Sequence, residues 1–126
     1  MLKRRVAAVV GAGVMMLAGC TVGYQADVRN DTAQPIGVAI IRADATGQSN
    51  NLAVMRIAPK SRGKLVRNGV PHDTKVYLEA DALGNPSFPL QLDLMPGLTV
   101  VRVTQEGDVP TGKMGMEVLE RPGAPR

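Results

Sequence analysis

Cys20 is the only cysteine and His72 the only histidine in a chain of 126 residues. Thiolate, imidazole or soft-metal chemistry must therefore run through one of them, or through methionine. Asp73 beside His72 suggests a hydrolytic set with Ser49, Ser61 or Ser87 as nucleophile. Such a triad is defined by geometry, no Gly-x-Ser-x-Gly elbow is present, and adjacent residues of an extended segment point to opposite sides. His72 therefore reads as a solvated loop residue after Pro71, and the chain reads as a non-enzyme. Met114 and Met116 share one face of a strand and could offer thioethers to Cu(I), helped by Met95 or His72. The competing reading is that methionine fills gaps in a core whose only aromatics are Tyr24, Tyr77 and Phe88. Glu79, Asp81 and Asn85 carry oxygens suited to Ca²⁺ but lack the dense alternation of a loop with six or more ligands. Neither a metal site nor a cofactor is assigned.

Charge gives the remaining candidate. Arg56, Lys60, Arg62, Lys64 and Arg67 form a basic run with no Asp or Glu between Ala45 and His72, whereas the two signs mix elsewhere. The run suits an anionic lipid, an anionic polymer or an acidic protein partner. It would equally serve as a solvated edge strand guarded against aggregation by its charge.

The elements that must position these residues begin with an export segment. Lys3, Arg4 and Arg5 precede an uncharged run from Val6 to Leu17, and small residues follow before Cys20. Leu17-Ala18-Gly19-Cys20 resembles the lipobox of bacterial lipoproteins at every position. That resemblance implies a diacylglyceryl group on the Cys20 thiol, cleavage after Gly19 by signal peptidase II, and acylation of the new amine with a palmitate-type chain. Other readings are an uncleaved membrane helix over Val6 to Gly23 and an ordinary secretory signal with Cys20 as a stray thiol. Each buried methylene contributes about 0.8 kcal/mol, so two or three acyl chains anchor durably where one does not. Cys20 is thus expected to be an anchor and not a catalyst.

Removal of residues 1–19 leaves one domain's worth of chain, able to bury somewhat over 60% of its unfolded surface. The net charge of +4 shrinks once Lys3, Arg4 and Arg5 leave, so the composition gives no argument for nucleic-acid binding. With Cys20 lipidated no thiol remains for a disulfide, and stability must come from packing.

The mature part reads as short segments of alternating polarity separated by Gly, Pro, Asn and Asp, with no convincing helical period. Strands are expected over residues 24–29, 36–41, 52–58, 64–67, 75–81, 90–94, 99–104 and 114–119. The second, apolar on both faces, should be central, and Val76, Leu78 and Ala80 should face inward. Pro96-Gly97 suits a type II turn with Gly at positive φ. Seven to eight short strands at this spacing predict an all-β sandwich over 24–120, with 20–23 as a lipidated tether and 121–126 as a disordered tail. Asp81 to Pro86 and Leu94 to Gly97 resemble the turns of bacterial Ig-like and prealbumin-like modules, which implies that class of sandwich.

Together these readings predict a membrane-anchored envelope lipoprotein that binds or scaffolds another component. The alternative is a periplasmic lipoprotein for a small ligand or copper. Thr21 stands where inner-membrane retention in enteric bacteria typically wants Asp, so the resemblance implies the outer membrane, facing the periplasm.

Overall fold

The computed structural model describes residues 20–44, 46–82, 85, 89–107 and 112–123. Among them the chain forms only strands, in the order β1 (Thr21–Asn30), β2 (Ile36–Ala43), β3 (Ser49–Ile57), β4 (Ser61–Pro71), β5 (Lys75–Ala82), β6 (Leu90–Asp93), β7 (Gly97–Gln105) and β8 (Met114–Glu120). They build two four-stranded sheets, β4-β1-β7-β8 and β3-β2-β5-β6. β1 and β7 run parallel, and the other neighbours are antiparallel. An immunoglobulin sandwich pairs its first strand with its second. Here β1 instead lies between β4 and β7.

The core follows from side-chain alternation. Tyr24, Ala26 and Val28 of β1, Ile36, Val38 and Ile40 of β2, Val76, Leu78, Ala80 and Ala82 of β5, and Val101 and Val103 of β7 are all buried between the sheets. Removing such aliphatic side chains from water contributes about 1.5–3 kcal/mol each, which replaces the absent disulfides as the source of stability. β2 is central in its sheet, as its two apolar faces require, with Ile36, Val38 and Ile40 in the core and Gly37, Ala39 and Ile41 outward.

Four local features differ from the sequence expectation. β1 starts at Thr21, paired with Pro71, and so takes in residues before the expected start at Tyr24. β4 extends to Pro71 through the expected turn, because the register shifts between Val22 and Tyr24 and Gly69 takes φ 72, which returns Val70 to the core. Such a bulge is invisible to simple alternation. β3 begins at Ser49, within the expected loop. Of the expected tail, Pro122 lies against Gly97, and a Cβ built on that glycine would come within 3.1 Å of the Pro122 Cβ. Residues 124–126 lie outside the described residues.

One end of the sandwich is closed by polar groups. Asn30 and Thr32 are each 1% exposed. The Asn30 amide donates to the carbonyls of Gln34 at 2.8 Å, Ile57 at 3.1 Å and Ala58 at 3.0 Å. Its Oδ1 accepts from the Thr32 amide at 3.0 Å and lies 2.6 Å from the Thr32 hydroxyl. The cluster satisfies carbonyls of the β1–β2 and β3–β4 connections that burial would otherwise leave costly.

Candidate functional site

Cys20 is exposed and immediately precedes β1. Its carbonyl accepts the His72 backbone N–H at 3.3 Å, and His72 Nδ1 lies 3.4 Å from the same oxygen. The single histidine therefore sits at the single cysteine, through backbone geometry. The β4–β5 connection is held onto the residue that would bear the lipid, and both lie at one end of the sandwich. Leu17, Ala18 and Gly19 lie outside the described residues.

The hydrolytic alternative gains no geometry. Ser49 Oγ is 3.3 Å from the Tyr77 hydroxyl, and Ser61 Oγ donates to the Pro59 carbonyl at 3.2 Å at the opposite end of the sandwich from His72. Ser87 lies outside the described residues. The methionines are likewise dispersed. Met114 is buried and Met116 packs against the core, both near the end closed by Asn30. Half-exposed Met95 and exposed His72 are at the other end. Glu79 accepts from Gln91 Nε2 at 3.1 Å, while the Asn85 amide donates to the Gly112 carbonyl at 3.0 Å. Among the described residues no three of His, Cys, Asp and Glu gather as a metal site.

The five basic residues wrap around the edge formed by β3 and β4. Arg62 and Lys64 lie on the outer face of the first sheet, at the register positions of Arg29 and Asp27. Arg56 pairs with Gly37 and so belongs to the outer face of the other sheet. Arg67, opposite buried Tyr24, has the inward register and reaches across the edge, where Nη1 donates to the Leu52 carbonyl at 3.4 Å. Lys60 lies in the β3–β4 turn, and its Nζ donates to the Asp31 carbonyl at 2.8 Å. At φ 56 it occupies the left-handed region in which glycine is favoured.

The run is also less isolated from acid than its sequence suggests. Asp27 of β1 stands opposite Lys64, and its Oδ2 is 3.9 Å from Arg62 Nη2. Beyond it, Arg29 lies between Arg62 and Arg102 across three adjacent strands. Arg102 pairs with Asp31 at 3.2 Å and Glu117 at 3.3 Å. Exposed pairs of this kind contribute about 0.2–1 kcal/mol, so they temper the field of the patch more than they stabilise the fold.

Sequence reading missed an open cleft of about 400 Å³ beside the Cys20 end, lined by Arg42, Ala43, Asp44, Asp73, Thr74 and Lys75. Arg42 continues the inward register of Ile36, Val38 and Ile40 and so points between the sheets at their open end; among the described residues its buried Nε has no hydrogen-bond partner. Asp44 turns the β2–β3 loop. Its Oδ1 accepts from the Thr46 amide at 2.9 Å, the Thr46 hydroxyl at 2.7 Å and the Gln48 amide at 2.9 Å. The Thr46 hydroxyl bond is the main cause that holds the Asp44 carboxyl below its ordinary range. The signal for the cleft was present in the sequence as an arginine at an inward position of the most apolar strand.

No family model matches the chain. No curated protein matches it either.

Proposed function

We propose that the chain is a lipid-anchored envelope lipoprotein whose β-sandwich binds or scaffolds another envelope component at the membrane surface, without catalytic chemistry of its own. The observation that carries this reading is the position of Cys20. The one thiol closes a lipobox and is followed directly by strand, with its carbonyl held by His72. A lipid there would seat the sandwich against the bilayer with almost no tether.

This arrangement limits what the basic run can meet. At about 3.3 Å per residue along β1 and β4, Arg67 lies on the order of 13 Å from Cys20 and Arg62 on the order of 30 Å. Headgroup charge is screened over about 8 Å at physiological salt. A domain standing on its Cys20 end keeps Arg62 and Lys60 out of that field, free for an acidic or anionic partner in the periplasm. A domain lying on its β3–β4 edge brings the whole run onto anionic lipid. Binding to anionic vesicles that falls with salt supports the second posture, whereas capture of one envelope protein by crosslinking in membranes supports the first.

Fractionation tests the anchor. The wild-type protein is expected in the detergent-soluble membrane fraction and resistant to salt and alkaline washing. Cys20→Ser is expected as an unprocessed precursor or a species cut elsewhere. Identical processing and wash behaviour of the two proteins contradicts the reading.

A further inference from the structure

The outer faces of the two sheets differ in charge and in relief. On the first sheet Arg29 of β1 points outward, since Tyr24, Ala26, Val28 and Asn30 alternate with it into the core, and its register partners are Arg62 of β4 and Arg102 of β7. Three arginines thus stand in one row across adjacent strands, and like charges directly opposite each other cost stability. Arg102 is relieved by Asp31 and Glu117, and Arg62 lies 3.9 Å from Asp27. Among the described residues Arg29 has no carboxylate partner. The outer face of the second sheet is the reverse. Its strand β2 presents Gly37 and Ala39, which leave a trough of about 210 Å³ walled by Val54 on one side and by Glu79 and Asp81 on the other. Asp93 adds a third outward carboxylate, as the register partner of Tyr77. Arg56 and Lys75 share this face, at its β3 edge and at its Cys20 end. Among the described residues none of the three carboxylates forms an ion pair.

The two features lie at one level. Asn30 follows Arg29 and donates to the Ile57 carbonyl, and Ile57 is the register partner of Ile36, which precedes Gly37. The arginine row and the Gly37 end of the trough therefore both lie at the end of the sandwich away from Cys20. The strands run between those two ends, so both faces are lateral in a domain standing on its Cys20 end. Neighbouring copies anchored in one membrane can then meet first sheet to second sheet without either turning over. We propose that the outer face of the first sheet docks on the outer face of the second sheet of another copy of this chain, the Arg29 row lying over the trough and its carboxylates. This takes the anchored, standing domain from the proposed function and names its partner as a second copy. The contact is heterologous, so each copy keeps one face free and the association extends into rows. A face four strands wide and about seven residues long measures on the order of 19 by 23 Å, and the contact hides on the order of 900 Å² over both copies. That is below the roughly 1,200 Å² of stable complexes, and confinement of the copies to one membrane supplies the effective concentration it needs.

The test uses the full-length chain in the membranes of cells that express it. Val54→Cys marks the trough face, and Val66→Cys, opposite outward Gln25, marks the arginine face; both positions are exposed. With a short bis-maleimide, two co-expressed chains that carry one of these cysteines each are expected to give a crosslinked dimer. Either variant alone is expected to give none, and a chain with both cysteines is expected to give products longer than a dimer. Asp81→Arg in the Val54→Cys chain is expected to abolish the mixed dimer. Arg29→Glu in the Val66→Cys chain is expected to do the same, and it places a carboxylate in register with Arg62 and Arg102 of its own sheet. The two reversals together are expected to restore the dimer. Gly37→Thr is expected to reduce it by filling the trough, since a Cβ there meets only the Asp81 carbonyl oxygen, at 3.9 Å. Absence of the mixed dimer, or self-crosslinking of one variant to the yield of the mixture, overturns the proposal. A dimer that both charge reversals leave unchanged also overturns it, because it reports only crowding in the membrane. Crosslinking of the chain without an added cysteine reports a free Cys20 thiol and overturns the anchor alone; the charge reversals then read the contact in a Cys20→Ser chain.

Discussion

At Gly97 the backbone takes φ 105, and an added Cβ would lie 3.1 Å and 3.2 Å from carbons of Pro122. Gly97→Val therefore combines a left-handed backbone that a β-branched side chain resists with a clash at the start of β7, and is expected to cost more than about 1 kcal/mol. Denaturant midpoints measure this, and an unchanged midpoint contradicts it. Asn30→Ala deletes the amide that serves three carbonyls and the acceptor that serves Thr32. Stranding buried carbonyls makes a loss of about 2–3 kcal/mol the expected result. A loss below about 0.5 kcal/mol would show that water replaces the amide. Asp44 supplies a pH signature. Its folded carboxyl titrates below its ordinary range, so its loop contribution is complete above the unfolded value and is lost as pH falls through the folded one. The stability gap between wild type and Asp44→Asn is accordingly expected to shrink on acidification. Gly97 was legible in sequence because Pro-Gly carries a turn rule. The Asn30 cluster was not, because its partners at Ile57 and Ala58 become neighbours only after the sheets form.

At the scale of elements, alternation revealed all eight strands because nearly every strand buries one face, as Val76, Leu78 and Ala80 do on β5. Period-two reasoning failed where the backbone adds a residue, as at the β4 bulge of Asn68 and Gly69, opposite Gly23, that carries β4 through to Pro71. It also could not see across strands. Asp27 is far from Lys64 in sequence and faces it in the sheet, so the basic run is paired on one flank by β1. That pairing predicts an asymmetry among charge reversals. Lys64→Glu places two carboxylates opposite each other on neighbouring strands and is expected to destabilise by roughly 0.5–1 kcal/mol. Arg56→Glu, beside Gly37 on the other sheet, is expected to change stability by less than about 0.5 kcal/mol. Equal midpoints for the two variants would mean that Asp27 does not sense Lys64.

Over the whole molecule, strand direction decides what is near Cys20. The start of β1, the end of β4, the start of β5 and the start of β7 meet at the Cys20 end, while Lys60 and the Asn30 cluster occupy the other. In a domain standing on its Cys20 end, a lipid there would place the Arg42 cleft toward the bilayer and run the basic edge away from it. The resemblance of Leu17-Ala18-Gly19-Cys20 to a lipobox was legible in four adjacent residues; the cleft was not, because its lining residues on β2 and β5 become neighbours only in the folded sheet. Intact mass of the membrane-extracted protein reads the proposed lipid itself. The expected protein begins at Cys20 and is heavier than its sequence by a diacylglyceryl group and an N-acyl chain, with the increment absent from Cys20→Ser. A wild-type protein that carries an unmodified Cys20 would contradict it.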